Sequence, residues 1–401
     1  MGRFLEQRWD EDPSGYGARK ARQSFVYRAF IPDPIAGLHP LTSFQTSGLV
    51  HEAERAVAAL NEMPSLTGIE AVAPLLLRSE AVGSSKIERL AVTHTNLARA
   101  LVDPGAARGA ARAVAANVRA LERAIALGTE ERPLSILDLI EVHRILMSDD
   151  DPEGAGVVRT EQNWIGGRQP NPIDAAYIPP PPEEVPGLLL DLVTFLNRAD
   201  LPAVAQAAMA HAQFETIHPF ADGNGRVGRA LIHLVLRRRG LSPRFVPPVS
   251  VVLAAHADAY IAGLVGYRDP DGLEPWLQAF ARATSQVARE SRQLADSIRE
   301  LEERWLERAG RPRTDSTSAK IIRSLPAQPI ITAATARLVT GTSYEAARVA
   351  LNALQVAGVV RQISGGTYDR TYAADDLFEL VRAFELRLSG RATTEIDAPA
   401  L

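Results

Sequence analysis

The sequence predicts a mainly α-helical fold, and three observations carry that reading. Apolar residues recur at helical spacing through most of the 401 positions. Residues 106–126 form an alanine-rich run, and alanine is the best helix former. Residues 157–182 are the clearest break in that period, with glycines, an Asn-Pro pair and four successive prolines. The length allows two or three domains, and 46% hydrophobic with 23% charged residues is ordinary for globular protein. A net charge of −4 gives no general attraction to nucleic acid or membrane. With no cysteine, disulfides and thiolate metal sites are excluded. The charged start, Met1 to Asp10, lacks the apolar region of a secretory signal, and no apolar run approaches the ~18 residues of a membrane span. A cytoplasmic protein with no membrane partner is expected.

Taken in order, residues 1–40 read as an irregular arm anchored by Phe25, Tyr27, Phe30 and Ile31. Helices follow at 44–60 (Val50, Ala53, Val57 and Leu60 apolar) and at 74–88, where Leu75 to Leu77 open the buried face and Ile87 continues it. The helix over 106–126 precedes one over 135–147, with Ser135 as its cap and His143 as a structural histidine. Residues 149–156 are a turn-rich loop. Two extended runs, around Trp164-Ile165-Gly166-Gly167 and Ala175-Ala176-Tyr177-Ile178, flank the Asn171-Pro172 tip and read as a β-hairpin. Helices are then expected at 203–217, at 230–239 with Gly240 as the stop, at 251–265, and at 275–287 with Trp276, Leu277 and Phe280 packing inward. A charged connector helix covers 286–309 and a polar linker 311–318. In the tail, short helices at 319–325, 332–339 and 343–357 precede two strands, Val359 to Ile363 and Tyr368 to Tyr372, around Gly365-Gly366. His211 and His233 lack partners at zinc spacing and read as structural.

Residues 218–229, His-Pro-Phe-Ala-Asp-Gly-Asn-Gly-Arg-Val-Gly-Arg, hold most of the chemistry. Pro219 closes the helix before them, and the turn opens the helix after. Amides at a helix start point outward without partners, so Gly223, Asn224 and Gly225 make an anion cradle. Glycine there lets a phosphate approach the backbone. Asp222 is a hard oxygen ligand where a phosphate-bound Mg²⁺ would sit. Arg226 and Arg229, three apart, reach one anion, and Val227 and Gly228 between them belong to the same nucleotide-binding turn. His218 stands before the cradle as a general base.

This stretch resembles the signature of the Fic family, His-x-Phe-x-Asp/Glu-Gly-Asn-Gly-Arg-x-x-Arg, at every fixed position. The resemblance implies a helical core that transfers AMP from ATP to a Ser, Thr or Tyr hydroxyl of a target protein. His218 would deprotonate the hydroxyl and Asp222 would hold Mg²⁺. The turn would bind the α- and β-phosphates with Arg226, and Arg229 the γ-phosphate. Gly225 stands where relatives acting as kinases carry Lys, which favours nucleotidyl transfer. Ser84 and Glu88 fit the family's inhibitory pattern Ser/Thr-x-x-x-Glu-Gly/Asn, with Arg89 as the departure. A carboxylate on Arg229 would occupy the fork that the γ-phosphate needs. The 157–182 hairpin corresponds to the family's flap, with Ala175, Ala176 and Tyr177 as the inner strand that aligns the target by main-chain pairing. Tyr260 falls where an aromatic residue flanks the adenine.

The tail resembles a winged helix-turn-helix domain, as appended to longer members. DNA binding would place Ser343, Tyr344 and Arg348 in the major groove, but the scattered basic residues make protein interaction or a homodimer equally good readings. The expected layout is an N-terminal helical extension with the inhibitory helix (1–120), the catalytic core (121–285), a connector and linker (286–313), the winged helix (314–385) and a tail (386–401). Two alternatives stay open: transfer of UMP or phosphocholine, which a phosphate cradle does not distinguish, and a DNA-binding regulator whose core senses nucleotide.

Overall fold

A computed structural model of the chain describes residues 2–11, 19–63, 72–168, 170–363 and 370–390. Among them α-helix dominates, and no single helix is long and apolar enough to cross a membrane. The chain folds into two compact units whose segments interleave along the sequence. One comprises Met1–Glu52, Arg119–Gly240 and Asp258–Arg282; the other comprises Ala53–Val118, Leu241–Ala257 and Ala283–Leu401.

The first unit begins with a hairpin where the sequence suggested an irregular arm. Strand β1 (Gly2–Trp9) pairs antiparallel with β2 (Phe25–Pro32), Phe4 opposite Phe30 and Trp9 opposite Phe25. Aromatic pairs on both faces hold it: Phe4 and Phe30 meet edge to face at 5.3 Å, and on the other face Trp9 stacks on Phe25 at 6.4 Å. The Arg, Gly and Pro content of residues 1–40 masks this alternation. The expected anchors divide, with Phe30 and Ile31 buried and Phe25 and Tyr27 half-buried.

Helix α1 (Phe44–Asn61) starts in this unit. Helices α2 (Val72–Ile87), α3 (His94–Val102) and α4 (Gly109–Leu127) follow it in sequence, and α4 ends in the first unit. Then come α5 (Ile136–Met147), α6 (Val185–Leu196), α7 (Ala203–Ile217) and α8 (Asn224–Arg238). The central helix is α7, buried along nearly its whole surface. Alanines at 203, 205, 207, 208, 210 and 212 let neighbouring helices approach it. Leu231, Leu234, Val235 and Leu236 of α8 and Phe195 of α6 are fully buried in the same unit. The expected cap of α5 is present: Ser135 and Asp138 form a capping box.

Two predicted boundaries shift. The single helix expected over 251–265 is two, α9 (Val249–Ala255) and α10 (Ala257–Tyr267), broken at His256. The helices expected over 275–287 and 286–309 are one unbroken 36-residue helix, α11 (Leu273–Arg308). Its start belongs to the first unit, where Trp276 donates its indole N–H to Ala208 O at 2.9 Å. Its later part is no solvated connector, since Val287, Leu294, Ile298, Leu301 and Trp305 form a buried stripe in the second unit.

In the second unit α2 packs on α9. A Cβ at Gly83 would come within 2.7 Å of the Val251 nitrogen, so only glycine permits that approach. The Glu80 carboxylate, fully buried, accepts from the Ser250 amide at 2.8 Å and from its hydroxyl. After residue 314 come α12 (Thr317–Ser324), β3 (Ile330–Thr332), α13 (Ala333–Thr340), α14 (Tyr344–Val356), β4 (Arg361–Gln362), β5 (Thr371–Ala373) and α15 (Asp375–Leu388). The strands form an antiparallel sheet ordered β3-β5-β4. Ser316, Thr332 and Ser343 cap the three helices, and Gly341 ends α13 at φ 67°. Helices stand at the three expected places, and β4 and β5 overlap the two expected extended runs in part, while Gly365, Gly366, Tyr368 and residues 391–401 lie outside the described residues. This part does not stand apart from its unit: Ala98 of α3 packs with Ile330 and Ala373, and Trp305 donates to Asp376 at 3.0 Å. Sequence reading missed α3, α6, β3 and α15.

Candidate active site

The site forms where α7 stops and α8 starts. Helix α7 ends on His218, whose N–H bonds Phe214 O and whose backbone is left-handed at φ 51°. Pro219 prevents the helix from resuming. Phe220 turns inward, fully buried, and its ring stacks on His143 of α5 at 3.7 Å with 2° between planes. Asn224 then closes the loop: its Oδ1 accepts from the Phe220 amide at 2.9 Å and its Nδ2 donates to Phe220 O at 2.8 Å. Its side chain therefore shapes the turn, leaving its amide to serve the cradle. Gly223, at φ 77°, is the N-cap of α8, and a Cβ there would meet Met147 at 3.0 Å. The first-turn amides of α8 have no partner within the helix.

His143 keeps the turn in register. Its Nδ1 accepts from the Gly156 amide at 2.9 Å, so Nε2 carries the proton and donates to Asp222 O at 3.0 Å. Burial lowers its pKa to about 4, which keeps this tautomer neutral. It is structural, as its place in the sequence suggested.

Arg226 is 4% exposed, and its Nε and Nη1 meet no acceptor. Its Nη2 lies 3.5 Å from the Met147 sulfur and 4.0 Å from the Asp222 carboxylate. Such a charge is costly to bury unmatched and suits an incoming anion. The Asp222 side chain is 77% exposed, and one of its oxygens accepts from the Gly223 amide at 2.6 Å. No cluster of three or more potential metal ligands exists among the described residues. A single carboxylate beside a phosphate cradle nevertheless fits Mg²⁺, which usually binds one or two carboxylates plus substrate phosphates.

Two residues assigned to nucleotide binding face inward instead. Val227 is fully buried, and a Cβ on Gly228 would approach His211 and Phe214 of α7 at 3.2 Å, so both serve packing. Tyr260 also lies inward, 6% exposed, with its ring beside His211 and Trp276. Its hydroxyl meets His211 Nε2 at 2.9 Å and Arg229 Nη1 at 3.4 Å. It therefore contacts Arg229 rather than offering an open face to adenine.

Among the described residues the predicted flap shrinks to one bridge within the segment, Ile165 with Tyr177, around a 3-10 turn at Pro172–Asp174. Gly166 and Gly167, at φ 76° and 84°, curl the backbone out of extended pairing. Ala176 and Tyr177 bond Ile165 O through their amides, and Ala175 bonds Pro172 O. Tyr177 donates its hydroxyl to Thr216 O at 2.6 Å under the Arg268 guanidinium, and burial raises its pKa.

In the second unit Ser84 is buried on α2, and Glu88 lies exposed just beyond its end. Arg89 takes φ 61° while the Leu90 amide bonds Ser85 O. Glycine and asparagine, the residues of the family pattern here, are those that most readily take such a left-handed turn. Arg89 takes that left-handed turn although it carries a side chain.

Residues 133–236 match the Fic/DOC family, and residues 48–126 match the Fic/DOC family N-terminal region. The protein adenylyltransferase fic-1 of Caenorhabditis briggsae is 35% identical over 141 residues, 34% of this chain and 26% of the relative. The protein adenylyltransferase Fic of Drosophila erecta is 36% identical over 117 residues, 28% of this chain and 22% of the relative. The chain thus spans about a quarter of the length of the curated relatives it matches. A solved Fic family protein from Desulfovibrio desulfuricans G20 shares the fold, with a TM-score of 0.51 at 21% identity over 84% of this chain and 97% of that one.

Proposed function

We propose, on the premise of the Fic/DOC family match over residues 133–236, that this chain transfers AMP from ATP to a hydroxyl side chain of a protein. The observation that carries the reading is the buried Arg226 guanidinium, two of whose donors meet no acceptor, beside the first-turn amides of α8. Charge-assisted donors from a side chain and a helix start together suit a polyphosphate. The target oxygen attacks the α-phosphorus, His218 accepts the hydroxyl proton, and pyrophosphate leaves. The amides at 224–226 and Arg226 hold the phosphates, and Arg229, backed by Tyr260, takes the γ-phosphate. Asp222 would hold Mg²⁺, which supplies charge neutralisation between phosphates.

Restraint by Glu88 is part of the same proposal, resting on the fit of Ser84 and Glu88 to the inhibitory pattern. We read the elements after residue 314 as a winged helix whose partner is protein. On α14 the Arg348 that DNA would need is paired with Glu345 at 2.5 Å. A cytoplasmic setting fits a chain without cysteine.

Intact-mass measurement after incubation with ATP, UTP or CDP-choline tests the reading. A nucleotidyl adduct with ATP supports it. Modification by UTP or CDP-choline, with none from ATP, would replace it with one of the other transfers.

A further inference from the structure

Arg159 is buried at 7% exposure, and no carboxylate lies within ion-pair distance of it among the described residues. Its donors instead go to backbone carbonyls from two parts of the site. Nε donates to His218 O at 2.8 Å, and Nη2 to Pro180 O at 2.5 Å and Ile217 O at 3.4 Å. Nη1 donates to Glu161 O at 3.1 Å, and the Arg159 amide to Pro219 O at 3.0 Å. One planar group therefore ties both limbs of the 157–182 segment to the end of α7.

Mere packing does not require this. A buried cation costs several kcal/mol in desolvation, and an apolar side chain of similar volume fills space without that cost. Burial pulls the Arg159 pKa down to about 10, which still leaves it charged at neutral pH. What a guanidinium adds is direction, with donors fixed in one plane. The carbonyl it orients belongs to His218, a non-glycine residue in the left-handed region. Asn163, from the same segment, supports the turn by donating to Phe220 O at 3.1 Å.

We propose that Arg159 is a positioning residue that fixes the His218 peptide and locks the flap segment to it. This rests on the proposed transfer for its kinetic consequence but not for its structural one. When the flap holds a target segment, the same guanidinium holds the base in register with the hydroxyl. A misplacement of about 1 Å in such a site costs on the order of 10²-fold in rate.

The test compares the full-length parent with Arg159→Lys and the milder Asn163→Ala, measuring melting temperature, ATP affinity, kcat for AMP transfer, and amide hydrogen exchange. Lysine keeps the charge and loses the fork. Arg159→Lys is expected to lower kcat by about 10- to 100-fold, with ATP affinity changed less than about threefold. Exchange should quicken in 159–180 and 215–222 but not in α6, and Asn163→Ala should show the same pattern more weakly. Unchanged exchange in those segments of folded Arg159→Lys would overturn the proposal, as would a kcat loss matched by an equal loss of ATP affinity. If Arg159→Lys does not fold, Asn163→Ala decides on the same criteria. If the parent transfers no AMP, the functional reading fails, and the exchange data alone decide the role of Arg159.

Discussion

Arg226 is a buried cation whose Nε and Nη1 meet no acceptor and whose one carboxylate partner, the exposed Asp222, stands at 4.0 Å. Its desolvation cost falls on the ligand-free protein, while its benefit comes when an anion arrives. Arg226→Met, beside Met147, should therefore leave thermal stability unchanged or higher and weaken ATP binding by about 10- to 100-fold, the worth of one charge-assisted contact. Calorimetry with ATP beside a melting curve checks both signs; a strongly destabilised variant would mean that Arg226 is a structural cation. At this scale the sequence was informative wherever chemistry depends on local geometry. Gly223 must be left-handed at a helix start, and the arginines must follow within one turn. It was uninformative where a partner lies far along the chain. Arg159 finds carbonyls up to 59 residues away, and no pattern of residue types marks such a bond. Val227, Gly228 and Tyr260 sit within or behind the motif, and only packing shows that they face inward.

Helix α2 shows how an element and its exit turn work together. Arg89 holds a left-handed conformation that costs a side-chain-bearing residue about 1–2 kcal/mol. Arg89→Gly should therefore stabilise the protein by about 0.5–1 kcal/mol, since glycine's greater unfolded freedom offsets part of the gain. Urea denaturation measures this, and a loss of stability would mean that the Arg89 side chain makes contacts outweighing the strain. Glu88→Gly, one residue earlier, should act on function, raising AMP transfer by tens of fold or more if the carboxylate competes with the γ-phosphate (about 2.7–4 kcal/mol for one positioned contact). Equal auto-modification by parent and variant would make Glu88 an ordinary surface residue.

Helix existence was largely legible from periodicity, whereas breaks and joins were not. Nothing in Val251 to Val265 announces the break at His256. In α11 the abundant charge concealed a stripe at 287, 294, 298, 301 and 305 that keeps the helix whole. The β1–β2 hairpin was hidden because composition averaged over forty residues erased an alternation of eight.

For the molecule as a whole, buried histidines contribute to the response to acid. In the first unit His143 and His211 are held neutral by burial, with pKa values of about 4 and about 3 against 6.5 when unfolded. Between those values the unfolded chain binds more protons, so the first unit should lose stability as pH falls below about 6.5. Glu302 in the second unit works the other way. Burial raises its pKa to about 7, so its contribution is present below about 4.5 and is lost as pH rises toward 7. Melting the parent and His143→Phe from pH 7 to pH 4 should give a shallower slope for the variant, and parallel slopes would refute the assignment of His143.

The two-unit division was not legible, because its segments interleave through tertiary packing that linear composition does not record. The central claim concerns which phosphorus the protein moves. Parallel incubations with α-labelled and γ-labelled ATP, of the parent and of His218→Ala, test it most directly. Protein-bound label is expected from the α position only, reduced by about 10²–10⁴ in His218→Ala while ATP still binds. Label from the γ position, or equal α labelling in both proteins, would contradict it.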